Sequence, residues 1–272
     1  MVDDITLQQA QGLAHYSVTP LHTEDGAVAP HFLKFAEDMG YSWDNLMLDP
    51  RFAEIIGKEV ATESMANGPL HALAELAPSE RARDTFLRWL AFINTDLNPW
   101  TTGGSIHFRP HWGRVLMLSQ ALGELEGLSD TDLEALAAAA SFHDSRRADP
   151  YLDTGHGARA AKYYKRFCED TQRGYARATQ AGRSIAYDDR VYFAVAWHDR
   201  EDAEGEEAIR AFFSGRPVSG VDAVRFYRIL KDADGLDRVR LGGNDFDPSY
   251  LRCSHAPELI DYAQRLYMHL EA

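Results

Sequence analysis

The chain has 272 residues, two cysteines, a formal net charge of -14 and an isoelectric point near 5.2. The length allows one large or two modest domains, and two cysteines outside any Cys-x-x-Cys pattern exclude a disulfide framework or a thiolate zinc site. The acidic balance argues against general nucleic-acid binding, and the absence of a signal-peptide pattern or long apolar run predicts a cytoplasmic protein without a membrane span.

Apolar residues follow a helical spacing along nearly the whole chain, and no segment shows the period-two alternation of a half-buried strand. We therefore predict an all-α fold. Residues 1–50 are the least regular and contain one short predicted helix near 31–39. A stronger helix begins at Pro78-Ser79, and after a break at NPWTTGG we predict helices at roughly 107–123, 129–144, 155–180, 187–199, 220–234 and 256–270. The break near Gly103 and Gly104 suggests an N-terminal helical segment, residues 1–100, of unknown role.

Three histidines, His111, His143 and His198, each continue the apolar face of a predicted helix at one of its ends. A buried imidazole needs a partner for each ring nitrogen, and neutral imidazole is the commonest metal ligand. One such residue alone is more often a hydrogen-bonded core histidine. Three on different helices, with a carboxylate at Asp144, favour a shared site.

The stretch FYRILKDADGLDRVRL offers two acids within one helical turn. Asp234 continues the apolar face of this predicted helix, whereas Asp232 falls on the side that carries two arginines. We therefore predict that Asp234 points inward. Asp232 is interpreted as solvated, with a supporting role beside the site as the alternative.

His111, the pair His143-Asp144 and Asp234 resemble the H, HD and D signature of the HD-domain superfamily of metal-dependent phosphohydrolases. HWGRV is similar to the first-helix phrase H-x-x-R-V, AAAASFHD to the small-residue run before HD, and LKDADGLDRVRL to the final D-x-L-x-x-x-R helix. The resemblance covers roughly residues 105–245 and is closest to a bacterial HD-domain group without an assigned substrate. It implies an HD helical bundle across residues 101–272, with these four residues as metal ligands.

Two further histidines, His156 in GHGARAA and His198 in AVAWHD, resemble the additional ligands of binuclear members, which include phosphodiesterases and mixed-valent di-iron oxygenases. The resemblance thus implies one divalent ion, Mn, Fe, Co, Ni or Mg, and a second if these histidines bind metal. For His156, a helix-start role beside the site is an equal alternative. His107 is interpreted as a pocket or structural residue, because Pro110 follows it too closely for a helical ligand motif.

A metal ion held by imidazoles and carboxylates lowers the pKa of bound water and polarises a phosphoryl oxygen. Asp144 is therefore predicted to be catalytic, and Arg146 and Arg147 are candidates for neutralising phosphoryl charge, with Lys231 a weaker one. The alternative for the two arginines is surface pairing with nearby acids. Many superfamily members carry glycine or an acid where this chain has SRR, so the group that protonates the leaving group is not inferred.

The leading hypothesis is a metal-dependent phosphohydrolase that acts on a small phosphorylated molecule, with a nucleotide or related phosphomonoester or diester as first choice. A di-iron oxygenase on the same scaffold is the main alternative, and it requires His156 and His198 as ligands. A non-catalytic metal- or nucleotide-binding regulatory module is the third. The oligomeric state is left open.

Overall fold

The structure is a computed structural model. It describes residues 2–7, 9–10, 28, 30–49, 51–52, 70–95, 97, 109–147, 153–172, 185–218, 221–241 and 246–271. The regular elements within these ranges are all helices, which confirms the all-α prediction. None of the described helices combines the length and apolar character that crossing a bilayer requires.

The helices follow one another along the chain with short connections. They are α1 (Pro30–Asp38), α2 (Trp43–Met47), α3 (Glu80–Thr95), α4 (Arg109–Leu125), α5 (Asp130–Phe142), α6 (His156–Gln172), α7 (Asp189–Trp197), α8 (Asp202–Phe213), α9 (Ala223–Leu236) and α10 (Ile260–Glu271). Short 3₁₀ helices occupy Leu73–Leu76, Asp237–Leu241, Pro248–Tyr250 and Ala256–Leu259. The helices predicted from apolar spacing are present with small shifts at their ends, and the predicted extension of α6 to residue 180 lies outside the described residues.

Helix α8 was not predicted, and its sequence explains why. It is rich in acidic residues, and only Gly205, Glu206 and Ile209 are buried, too few to form a visible apolar stripe. A side chain at Gly205 would place its Cβ 2.5 Å from the hydroxyl oxygen of Tyr227 on α9. Close packing of its backbone against α9 therefore positions this helix, and a single-helix apolar pattern does not show such packing.

The described residues form two apolar cores. The larger one joins the segment from Leu70 to Leu97 with the helices from α4 onward. A smaller cluster contains Val2, Ala10, Phe32, Ala36, Leu46 and Phe52. The predicted division between residues 1–100 and 101–272 stays a prediction, because Gly103, Gly104 and His107 lie outside the described residues.

A buried ion pair fixes the start of α5 against α7. The hydroxyl of Ser129, the N-cap residue of α5, accepts a hydrogen bond from the backbone N–H of Asp132 at 3.2 Å. The Asp132 carboxylate lies 2.5 Å from the guanidinium of Arg190, and both side chains are about 5% exposed. Asp132 also accepts the backbone N–H of Val221. This carboxylate thus ties three segments together.

We expect Asp132→Ala to lower the free energy of unfolding by about 3 kcal/mol, because it leaves the buried guanidinium of Arg190 with one partner fewer and the partly buried N–H of Val221 without this acceptor. Urea titration measures the change. The control is Asp130→Ala, whose carboxylate pairs with Arg81 at the surface and is 82% exposed, so we expect a loss of roughly 1 kcal/mol or less. Equal losses in the two variants would contradict the structural role of the buried pair.

Candidate metal centre

Helix ends converge on one buried cluster. His111 lies in the first turn of α4 and His156 is the first residue of α6, whereas His143 and His198 directly follow the last residues of α5 and α7. Asp144 comes next to His143 in the chain. The four imidazoles and Asp144 are buried, so the cluster sits where helices meet rather than on the surface.

Four side chains, His111, His143, Asp144 and Asp234, form what we call the His111 group. The Nε2 atom of His111 lies 3.4 Å from Oδ2 of Asp144 and 3.3 Å from Oδ1 of Asp234. The Nε2 atom of His143 lies 3.8 and 3.9 Å from the same two oxygens. The Asp234 side chain is 34% exposed, against 3% or less for the other three. Solvent therefore reaches the group on the side of Asp234.

The second oxygen of Asp144 faces two more histidines, which together with it form the His156 group. Oδ1 of Asp144 lies 2.8 Å from Nε2 of His156 and 3.5 Å from Nε2 of His198. Each group contains at least three nitrogen or oxygen atoms close enough to bind one ion. Asp144 is the shared member, with one carboxylate oxygen toward each group.

In each histidine the outward nitrogen is Nδ1, which points away from the cluster, and its hydrogen-bond partner determines where the ring carries its proton. Nδ1 donates to a backbone carbonyl in three histidines: from His143 to Ala140 at 2.7 Å, from His156 to Asp153 at 2.6 Å, and from His198 to Val195 at 2.8 Å. A carbonyl only accepts, so these nitrogens carry the hydrogen, and in a neutral ring the Nε2 lone pair points inward.

These inward nitrogens approach one another closely. Nε2 of His111 lies 3.2 Å from Nε2 of His143, and Nε2 of His156 lies 3.0 Å from Nε2 of His198. Two unprotonated nitrogens at such distances repel each other, and a proton or a metal ion between them removes this repulsion. The donor set therefore fits a cation, and imidazole with carboxylate suits a divalent transition metal.

The pKa values of His111 and Asp234 also indicate that the cluster favours positive charge. Burial opposes protonation of His111, but the surrounding carboxylates, above all Asp144, raise its pKa to about 10. Burial lowers the pKa of His143 to about 4. Burial also disfavours the charged form of Asp234, yet its hydrogen bond with His111 holds the pKa well below the usual range. These surroundings favour the ionised form of Asp234 and the protonated form of His111, so positive charge from a proton or a metal ion stabilises the cluster.

The three predicted basic residues differ in position. Nη1 of Arg147 lies 3.6 Å from Oδ1 of Asp144 and 3.5 Å from Nε2 of His156, so Arg147 belongs to the cluster. The guanidinium of Arg146 instead lies over the ring of Tyr163, 3.2 Å from its centroid. Lys231 donates to the backbone carbonyl of Arg200 and contacts a carboxylate on α8.

The interpretation of Asp232 as solvated is wrong. The residue is fully buried, and its carboxylate accepts hydrogen bonds from the side chain of Arg252 at 2.9 Å and from the backbone of Cys253 at 2.6 Å. Asp232 ties α9 to the segment before α10. Its partners lie about 20 residues further along the chain, where helix periodicity gives no information about them.

Sequence reasoning missed the carboxylate that supports His111. Asp237 follows Asp234 by one helical turn, is fully buried, and lies 2.7 Å from Nδ1 of His111. It also accepts from Arg114 at 2.6 Å and from Arg240 at 3.0 Å. The signal in the sequence was the spacing of three between two acids and between His111 and Arg114, which places each pair on one face.

Gly157 lets the His156 group form. A Cβ at this position would lie 2.5 Å from the carbonyl oxygen of Val195 and 2.9 Å from Nδ1 of His198. Only glycine therefore allows the start of α6 to approach the end of α7 this closely. Asp199 accepts a hydrogen bond from the backbone N–H of Gly155, the residue before the start of α6, and this bond fixes the loop that leads into the helix.

The cluster thus unites six predicted ligands, His111, His143, Asp144, His156, His198 and Asp234, together with Arg147. It could hold a metal ion in each group. Comparison with protein-family models, with curated proteins and with solved structures gave no significant match.

Proposed function

We propose that this protein is a metal-dependent phosphohydrolase that acts on a small phosphorylated molecule, and that residues 105–245 form a domain of the HD superfamily. One observation supports it above all: Asp144 has one carboxylate oxygen near the Nε2 atoms of His111 and His143 and the other near those of His156 and His198. The order of these ligands along the chain agrees with the H, HD and D phrases of the sequence.

The His111 group would hold one ion and the His156 group a second, both bound to Asp144. Two metal ions bound in this way would supply a hydroxide nucleophile at neutral pH and polarise the phosphoryl group. Mn, Fe, Co, Ni and Mg are the candidate metals, since the donors are imidazole nitrogens and carboxylate oxygens.

Among the residues that the structure describes, Arg147 is the best placed to bind the substrate's anionic group. Its guanidinium adjoins Asp144 and His156, and its side chain keeps 13% of its surface exposed. A guanidinium can donate two parallel hydrogen bonds to phosphoryl oxygens and stabilises charge that develops on them. Substrate would enter beside Asp234, whose side chain is the most exposed of the ligand set. A nucleotide or related phosphoester fits these requirements.

The di-iron oxygenase remains the second candidate because His156 and His198 both approach the shared Asp144. That arrangement suits two redox-active ions as well as two hydrolytic ones. The guanidinium of Arg147 beside the cluster favours an anionic phosphoryl substrate and hence the hydrolase. A regulatory module that binds metal or nucleotide without turnover would share the same ligands.

A metal-supplemented screen of nucleotides, phosphomonoesters and phosphodiesters tests the proposal, with released phosphate and product mass as readouts. We expect turnover that a chelator abolishes. Oxygen consumption by the iron-loaded protein without hydrolysis would instead support the oxygenase. Inactivity in both assays would support the binding module.

We expect Arg147→Gln to lower kcat by about 100-fold, because it removes charge stabilisation at the phosphoryl group. Bound metal, measured by elemental analysis, should stay at the wild-type level. Arg216→Gln is the control, since Arg216 lies over the ring of Phe212, outside the cluster. Loss of metal in Arg147→Gln, or wild-type kcat, would exclude the proposed role.

A further inference from the structure

The outward nitrogens of the four histidines have unequal partners. Three of them donate to neutral backbone carbonyls. His111 differs, because its Nδ1 lies 2.7 Å from a carboxylate oxygen of Asp237. Nδ1 of His156 also has a carboxylate nearby, that of Asp199, but at 3.5 Å, whereas its carbonyl partner lies at 2.6 Å.

Asp237 is held firmly in the charged form and in one orientation. Arg114 donates from Nε to Oδ1 at 2.6 Å and from Nη2 to Oδ2 at 3.1 Å, a bidentate contact. Nη1 of Arg240 lies 3.0 Å from Oδ2, the same oxygen that faces His111. The Asp237 side chain is fully buried, so water does not weaken these bonds.

A carboxylate that accepts from the outward nitrogen of a metal-binding imidazole fixes its ring and increases the electron density at the inward nitrogen. A backbone carbonyl fixes the ring equally well but is uncharged. His111 should therefore be a stronger ligand than the three histidines that rest on carbonyls.

We propose that Asp237 is the positioning residue that makes the His111 group bind its ion before the His156 group. The proposal rests on the proposed two-ion centre and adds an order of filling to it. Asp234, present in the His111 group and absent from the other, contributes a further negative charge in the same direction.

Stepwise titration of the metal-free protein with Co²⁺ tests this, with the visible spectrum and calorimetry as readouts. We expect two unequal dissociation constants in the wild type. Asp237→Asn should weaken the tighter one by roughly 10- to 100-fold, the effect typical of such partners, and leave the weaker one unchanged. With one equivalent of Co²⁺, His156→Gln should keep the tight site and His111→Gln should lose it. These two variants test the order of filling without a substitution at position 237.

Asp232→Asn is the matched control. Asp232 lies in α9, is as fully buried as Asp237 and accepts a hydrogen bond from an arginine side chain, but in the described hydrogen bonds it contacts no histidine of the cluster. We expect it to lower stability and leave both constants unchanged. Wild-type constants in Asp237→Asn, or a tight site that survives His111→Gln, would overturn this inference alone. A wild-type chain that binds no Co²⁺ would overturn the proposed two-ion centre as well.

Discussion

Replacing Asp144 with alanine is expected to remove both metal ions. One carboxylate oxygen serves the His111 group and the other serves the His156 group. Without it the His156 group keeps two histidines, the His111 group loses one of its two carboxylates, and both groups lose the negative charge that they share. The variant should emerge from desalting without bound metal. Elemental analysis measures the metal content, and circular dichroism verifies that the helices are intact.

Asp234→Ala is the informative comparison, because Asp234 contacts only the His111 group. We expect this variant to keep the ion of the His156 group at wild-type affinity and to bind the other ion more weakly, because His111, His143 and Asp144 remain as donors. Asp189→Ala at the start of α7, outside the cluster, should keep both. An Asp144→Ala protein that retains one ion at wild-type affinity would show that the carboxylate is not shared.

Gly157→Ala is expected to destroy the His156 group while the His111 group survives. The added methyl group would lie 2.5 Å from a backbone carbonyl oxygen of α7 and 2.9 Å from a ring nitrogen of His198. The carbonyl oxygen cannot move independently of α7, so α6 and α7 must separate, and the His198 ring must turn away from its present position. Metal stoichiometry should fall to one ion, and thermal unfolding should shift to a lower temperature.

Gly235→Ala is its control, since Gly235 follows Asp234 as Gly157 follows His156. A Cβ at Gly235 would meet no atom within 4 Å. We expect full metal content and a gain of up to about 1 kcal/mol, because alanine is the better helix former. If Gly157→Ala binds two ions with unchanged melting temperature, the close approach of α6 to α7 is not needed.

Apolar periodicity was sufficient to place His111, His143 and His198, because each lies on the face of its own helix that packs into the core. The same reasoning placed Asp234 inward, where its carboxylate indeed meets the Nε2 atoms of two histidines. Helix ends were predictable to within a turn, because capping residues such as Ser129 at the start of α5 act through local hydrogen bonds.

The wrong interpretation of Asp232 and the missed role of Asp237 both concern contacts between segments that are distant in the chain. Asp232 has a polar setting on its own helix, and its burial comes from Arg252 and the residue after it, which approach from a later part of the chain. Asp237 lies in a 3₁₀ segment after α9, and its contact with His111 spans 126 residues. Single-helix patterns carry no information on such pairings.

The most direct test of the two-ion centre is anomalous diffraction at the manganese edge from crystals of the wild-type protein grown with excess Mn²⁺. Two peaks are expected, one on each side of Asp144 and roughly 3.5 to 4 Å apart, with His111 and His143 bound to one and His156 and His198 to the other. A folded, Mn²⁺-saturated protein with no anomalous peak beside Asp144 would contradict the metal centre.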